Sequence, residues 1–268
     1  MLSTKVRGKS VSKMKSMQLL TIILVAAVAV FFAIGEPAMA KGWKIKTEEL
    51  DPVNVFIEWN TTDEDQGIQF FWDSDGFTRM MVFNDSGKKV LDINTKNSVK
   101  EQGLTEVAIE SVEPDVSEQT LEEFFKRFPA GTYKFWGRSI DKGWLFGEAE
   151  FTHDLADPVT IDLSGWPIIG WTPGGGGAEV VGYEIVVELV VNIDDEEIVY
   201  KQTTTLPPEI EELTVSGEFA NFIEDALDEE IVEELKVEIL ADEESGNRTI
   251  TEVPICIDQP DNVCPEED

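Results

Sequence analysis

Residues 235–253 read LKVEILADEESGNRTITEV. Leu235, Val237, Ile239 and Ala241 alternate with polar neighbours, and Thr249, Thr251 and Val253 do the same beyond the polar run DEESGN, 242–247. Side chains alternate faces along a strand, so the pattern predicts two half-buried strands joined by a loop centred on Gly246. Gly246 and Asn247 suit left-handed backbone conformations, which makes the loop first of all a reversal. Whether it is also a contact surface is the question the stretch raises, since nothing in it demands catalysis.

Upstream, the same strand rhythm runs back to LADP, 155–158, the best candidate for a boundary between two domains. After it come VTIDL, IIGWTP, VVGYEIVVEL, EIVYKQTTTLP and LTVSG, and then the quoted hairpin. Between LTVSG and the hairpin, Phe219, Phe222, Ile223, Ala226 and Leu227 recur at helical spacing and predict one short helix. Before the boundary, VNVFIEWN, GIQFFWD, FTRMMVFND, KKVLDIN and LTEVAIESV read as strands separated by TTDEDQ, SDG, SG and a polar stretch ending in Gly103. A second helix is predicted near 121–128, where Thr120 and Glu123 form a capping box, Leu121, Phe124, Phe125 and Phe128 make an apolar stripe, and Pro129 ends it. PAGTYKFWGRSI and WLFGEAEFTH, joined by DKG, then form a hairpin; its PAGTY turn resembles the approach to the penultimate strand of immunoglobulin-like sandwiches, which makes Tyr133 a candidate tyrosine corner. The fold class expected is all-β, two immunoglobulin-like sandwiches with one or two short helices.

IIGWTP, VVGYEIVVEL, EIVYKQTTTLP and LKVEILADEESGNRTI resemble successive strands of a fibronectin type III domain spanning 156–258. The resemblance implies that Trp171 is the core tryptophan of the second strand, Tyr183 the aromatic of the third, and Val237, Ile239 and Ala241 the buried face of the sixth. It also puts two loops at one end of the sandwich: Gly174, Gly175, Gly176 and Gly177, and Glu243, Glu244, Ser245, Gly246 and Asn247. Loops at one end of such domains are where partners bind, so these nine residues are the candidate contact surface. Two positions depart from the family: Leu235 stands where its tyrosine corner would be, and the segment 218–234 is longer than the usual loop. Coupled to an immunoglobulin-like domain over 41–155, the arrangement resembles exported bacterial proteins.

The N-terminus fits export. Lys5, Arg7, Lys9, Lys13 and Lys15 precede an apolar run from Leu19 to Gly35 and the small-residue site Ala38-Met39-Ala40, so residues 1–40 read as a signal peptide and the mature chain as starting at Lys41. The alternative is an uncleaved anchor helix, since the apolar run reaches the lower edge of membrane-spanning length. With cleavage no span remains, and the destination is the periplasm or the medium. An exported chain permits a disulfide, and Cys256 and Cys264 are placed to close a short loop ahead of an acidic tail, 259–268.

Outside the signal segment 16 basic residues face 53 acidic ones, a net charge of −37. Such a field repels nucleic acid and anionic membranes and leaves a protein or glycan as the partner class. No cofactor is implied; calcium is the ion the carboxylates suit, at TTDEDQG, DSDG or NIDDEE, although none has the full calcium-loop spacing. His153 is the sole histidine and reads as a strand-end surface residue, so histidine-based nucleophilic or metal chemistry has no basis. GGGG, 174–177, lacks the Lys-Ser/Thr of a phosphate loop. Trp59, Trp72, Trp136 and Trp144 suit core packing, or sugar stacking should two share an exposed face. The expected function is therefore a non-catalytic exported binding or adhesion module. The alternatives are a carboxylate-based, glycoside-active enzyme and a calcium-binding surface protein.

Overall fold

A computed structural model describes residues 47–193, 196–229, 231–257, 262 and 264. The expected signal segment, 1–40, Asp194 and Asp195 of the NIDDEE cluster, and most of the acidic tail lie outside them. The chain in Ile45–Asp268 forms one unit, and within it two hydrophobic cores are built in sequence order.

The first core collects Val55, Ile57, Trp72, Phe77, Met80, Phe135 and Leu145, all fully buried. It lies between strands β1 (Thr47–Glu49), β2 (Val53–Asn60), β3 (Asp65–Phe83), β4 (Lys89–Asn94), β5 (Leu104–Glu110), β6 (Gly131–Ser139) and β7 (Trp144–Phe151). GIQFFWD and FTRMMVFND are not two strands around a turn. They form one long strand, β3, whose first part pairs with β2 and β5 and whose second part pairs with β4 and β6. The register slips between Asp73 and Phe77, where Gly76 takes φ 137° and Ile140 packs against its α-carbon side. SDG thus marks a sheet-switching corner, the device by which one strand serves both layers of a sandwich.

Helix α2 (Leu121–Arg127) has the foreseen capping box: the Glu123 amide donates to Thr120 Oγ1, and the Thr120 amide donates to Glu123 Oε2 at 3.1 Å. It drives Phe124 into the first core. The short helix α1 (Asn97–Gln102) was not foreseen; it buries no side chain, so no apolar stripe announces it. Tyr133 is fully buried and its hydroxyl donates to the Pro129 carbonyl at 3.2 Å, which is the corner contact expected. Burial pushes its phenol up to about 12.

The second core holds Trp171, Tyr183, Ile185, Val187, Val237, Ile239 and Ala241. Strands β8 (Thr160–Asp162), β9 (Ile168–Thr172) and β12 (Glu212–Thr214) make one layer. Strands β10 (Val180–Ile193), β11 (Glu196–Leu206), β13 (Val232–Glu243) and β14 (Arg248–Pro254) make the other. Trp171 meets Tyr183 edge to face at 5.4 Å between the layers. Helix α3 (Gly217–Asp228) buries Ala220, Ile223 and Ala226, as its spacing predicts. The Cys256–Cys264 disulfide is formed, and its loop returns to the core: Asn262 Nδ2 donates to the Leu163 carbonyl at 2.9 Å.

One pairing joins the halves. Arg248, Thr249 and Ile250 of β14 run parallel to Glu58, Trp59 and Asn60 of β2, so a continuous sheet passes from β1 to β11. Thr61 extends the ladder, its amide and hydroxyl both donating to the Ile250 carbonyl. Two exposed strand edges, each a template for unwanted pairing, are removed by pairing with one another.

Candidate functional site

The 243–247 loop sits beside that pairing, and its two end residues, Glu243 and Asn247, turn inward. Asn247 is 1% exposed. Its Oδ1 accepts the Ile57 amide at 2.8 Å, while its Nδ2 donates to the Asp154 carbonyl at 2.7 Å and to Thr152 Oγ1 at 3.1 Å. Glu243 is equally hidden. Its carboxylate accepts the Ala156 amide at 2.7 Å, the Thr249 hydroxyl at 3.0 Å and the Ser245 hydroxyl at 3.1 Å. Burial still pushes its carboxyl above the usual range, against the pull of those three donors.

The glycine run approaches the same segment from the other side. The Asp157 amide donates to the Gly176 carbonyl, and the Ala178 amide to the Leu155 carbonyl. At Gly177, φ is 78°, and a Cβ would lie 2.3 Å from the Leu155 carbonyl oxygen; one at Gly174 would lie 2.4 Å from Asp157. Glycine is needed here for close approach of backbone to backbone. Gly175 faces open space.

The two loops therefore both pack against the chain's own 152–157 segment. What stays accessible is a hollow of about 580 Å³. Its lining includes His153, Asp154, Gly177, Glu179, Glu244 and Ser245, and Glu244 is tied in by its amide donating to the Glu179 carbonyl. His153, expected as a strand-end surface residue, lies just beyond the end of β7 and lines the hollow. It is half-buried, stacked on Phe125 at 4.0 Å, and its Nε2 lies 2.8 Å from the Phe128 carbonyl oxygen. A carbonyl can only accept, so that nitrogen carries the proton and donates.

The carboxylates that converge are ones the sequence did not single out. Among the described residues, Glu58, Glu110 and Glu113 place carboxylate oxygens within 4.8 Å of one another, a spacing that could hold a cation. Glu113 is pushed up to about 7, by burial first and then by Glu110, Asp65 and Glu58, and it shares a hydrogen bond with Glu110. Burial raises Glu58 as well, with Arg248 opposing. These residues come from β2, β5 and the segment after it, so only the sheet register reveals them. In two of the acidic turns named from sequence, TTDEDQG and DSDG, side chains at the turn serve the backbone. Asn60 Oδ1 accepts the Thr62 and Asp63 amides, and Asp73 Oδ1 accepts the Ser74 amide. Of the tryptophans, Trp72 and Trp171 are core, whereas Trp136 is 41% exposed.

No family model matches this chain, and no curated protein is significantly similar to it. Among solved structures it overlaps one described as bearing on host cell surface retention of a 1.5-MDa bacterial ice-binding adhesin, at 10% identity and TM-score 0.24 over 75% of this chain and 62% of that one. Tp47, the 47-kilodalton lipoprotein of Treponema pallidum, overlaps at 12% identity and TM-score 0.29 over 75% and 51%. A tetra-tandem repeat from the extending region of a large adhesion protein overlaps at 10% and 0.22 over 75% and 48%. The chain thus spans about half to three-fifths of the chains it overlaps. At such TM-scores the overlaps carry no argument about function.

Proposed function

We propose that the protein is a non-catalytic exported binding or adhesion module of two sandwich domains, 41–155 and 156–258, held in fixed relation. The observation that carries this reading is the convergence of Gly174–Gly177 and Glu243–Asn247 on the segment between the cores. There, buried Asn247 and Glu243 lock the halves while Gly177, Glu244 and Ser245 line one hollow. A fixed relation pre-organises a composite surface, so ordering costs less on binding. The order β8-β9-β12 over β14-β13-β10-β11, with Trp171 and Tyr183 between, supports a fibronectin type III-like reading of the second half. The disulfide supports an oxidising compartment, periplasm or medium. A protein or glycan is the ligand class.

The test is capture from the organism's envelope and medium by the protein and by a Glu179→Arg/Glu244→Arg variant, which reverses charge at the rim without touching the buried locks. Loss of the captured species in the variant is expected. Equal capture by both forms removes the hollow from the proposal.

The Glu58, Glu110 and Glu113 grouping favours a second reading, a calcium-binding surface protein or a carboxylate-based enzyme. A general acid would need the raised pKa that Glu113 has. Turnover of a polysaccharide abolished by Glu113→Gln would replace the binding-module reading with the enzymatic one.

A further inference from the structure

A different surface, on the first half, has the chemistry of a specific ligand class. The outward face of β3, β6 and β7 sets Met81, Trp136 and Phe146 in one cross-strand row and Arg79, Arg138 and Trp144 in the next. Trp136 meets Phe146 at 4.9 Å, and the Arg138 guanidinium lies 4.3 Å above the Trp144 ring. Beside Trp136 is a shallow hollow of about 430 Å³ lined by Met81, Phe83 and Trp144, with Asn84, Asp85 and Lys134 as its polar groups. An exposed aromatic lining beside polar groups is not a solvated face, and it differs from the scattered single apolar residues normal on a surface.

The charges on this face are unlike the rest of the chain. Arg79 and Arg138 are direct cross-strand neighbours, an arrangement that is unfavourable unless anions balance it. Arg79 has its anion: Asp92 accepts from it at 3.0 and 2.8 Å and also pairs with Lys89. Arg138 has no carboxylate partner among the described residues, and its only hydrogen bond there is a 3.5 Å contact to the Lys142 carbonyl. Lys134, two residues along β6 from Trp136, pairs loosely with Glu148 at 3.8 Å. These rows hold four basic side chains, Arg79, Lys89, Lys134 and Arg138, and two acidic ones, Asp92 and Glu148, while Glu49 and Glu150 at the margin and Asp85 in the hollow bring the acids to five. In a chain of 16 basic against 53 acidic residues over 41–268, that is a local enrichment of basic side chains, and Arg138 is the one of the four without a carboxylate partner among the described residues.

We propose that this face binds an anionic polysaccharide, a chain of uronic-acid pyranoses, with a sugar ring stacked on Trp136 and its carboxylate held by Arg138. The indole takes the C–H side of a pyranose, and the guanidinium fork matches a carboxylate while remaining stacked on Trp144. Lys134 and Arg138 lie four residues apart on one strand, about 14 Å, so the site spans more than one sugar and favours an oligomer. The proposal rests on the reading of the chain as a binding module but uses a surface separate from the junction hollow.

Tetragalacturonate titrated into the full-length product after processing, followed by tryptophan fluorescence and calorimetry, tests it. Saturable binding that weakens with salt is expected, with cellotetraose at least about tenfold weaker. Trp136→Ala should lose at least about tenfold in affinity, and Arg138→Gln about fivefold or more, with circular dichroism and melting temperature unchanged. Should Trp136→Ala misfold, Arg138→Gln and Trp136→Phe carry the comparison. Absence of binding at millimolar tetragalacturonate, wild-type affinity in a folded Arg138→Gln, or equal binding of cellotetraose overturns the proposal. Such a failure with capture through Glu179 and Glu244 intact leaves the binding module standing; the reverse result separates the two the other way.

Discussion

The Asn247 side chain accepts the backbone amide of Ile57 at 2.8 Å, a bond between residues 190 positions apart that ties the second half to an interior strand of the first. The same amide group donates back into the connecting segment at Asp154, so one side chain holds three pieces of chain together. In a site this buried, removing one partner leaves the others unsatisfied, which costs more than the bonds themselves are worth.

Asn247→Ala should therefore destabilise by about 3 kcal/mol, far more than loss of a surface loop residue. Asn247→Asp keeps the acceptor for Ile57 but turns a second oxygen toward the Asp154 carbonyl, and should destabilise at neutral pH and recover in part as acid restores a donor. Denaturant melts at pH 7 and pH 4.5 measure both. An Asn247→Ala protein as stable as wild type would show that the halves are held elsewhere.

Gly177 and Gly175 make a matched pair. Gly177→Ala forces a methyl to 2.3 Å from the Leu155 carbonyl oxygen at φ 78° and should cost about 2–4 kcal/mol. Gly175→Ala meets nothing within 4 Å and should change stability by less than about 0.5 kcal/mol. Similar losses at both would mean that the run is conformationally flexible rather than packed.

Much of this was legible in the sequence because local periodicity and core aromatics are local signals. The Thr120 capping box and the Phe124 stripe follow from spacing, while the Tyr133 corner and the Trp171–Tyr183 core pair follow from the resemblance of their strands to sandwich domains. The hairpin 235–253 is likewise visible, and so is its loop. What the loop does was not visible, since Asn247 looks like any turn asparagine until Ile57 is found beside it. Composition also misled at SDG, where turn-forming residues bend a strand between layers instead of reversing it. Glu58, Glu110 and Glu113 are joined only by cross-strand register, and a chain with 53 acids over residues 41–268 gives no reason to choose those three.

Reducing the Cys256–Cys264 bridge should release two thiols and cost about 2 kcal/mol or somewhat less, because the closed loop is short. Part of that cost should reappear in Asn262→Ala, which removes the bond from the disulfide loop to the Leu163 carbonyl. Intact mass with and without reductant, alongside thermal melts, checks both. A collapse of the fold on reduction would give the bridge a larger role than pinning the chain end.

Glu113 sets a pH dependence of known sign. Its folded pKa, about 7, lies above the ordinary 4.5, so the folded state binds the proton more tightly than the unfolded one. The group is without penalty below about pH 4.5, and its ionisation removes stability progressively as pH rises through 7. Glu113→Gln should consequently stabilise by about 1 kcal/mol at pH 8, after discounting for solvent screening, and have little effect at pH 4.5. A substitution that destabilises at pH 8 would mean that the charged carboxylate is already compensated.

The remaining charge separates diffuse from specific effects. At −37 over residues 41–268, the folded chain repels itself, and sodium chloride should raise the melting temperature steadily, since at 0.1 M the screening length is already about 10 Å. Three carboxylates within 4.8 Å add a sharper possibility, because a divalent cation seated there would neutralise the repulsion that raises Glu113. Calcium requires about six to eight oxygens, so Glu58, Glu110 and Glu113 would need bidentate contacts, backbone carbonyls or water to complete the shell. Melts in sodium chloride and in millimolar calcium at equal ionic strength distinguish the cases. Equal responses in wild type and Glu113→Gln assign the effect to screening. A gain of several degrees with calcium that EGTA reverses and Glu113→Gln abolishes, with the sodium chloride response unchanged, assigns a cation site to the face shared by β2 and β5.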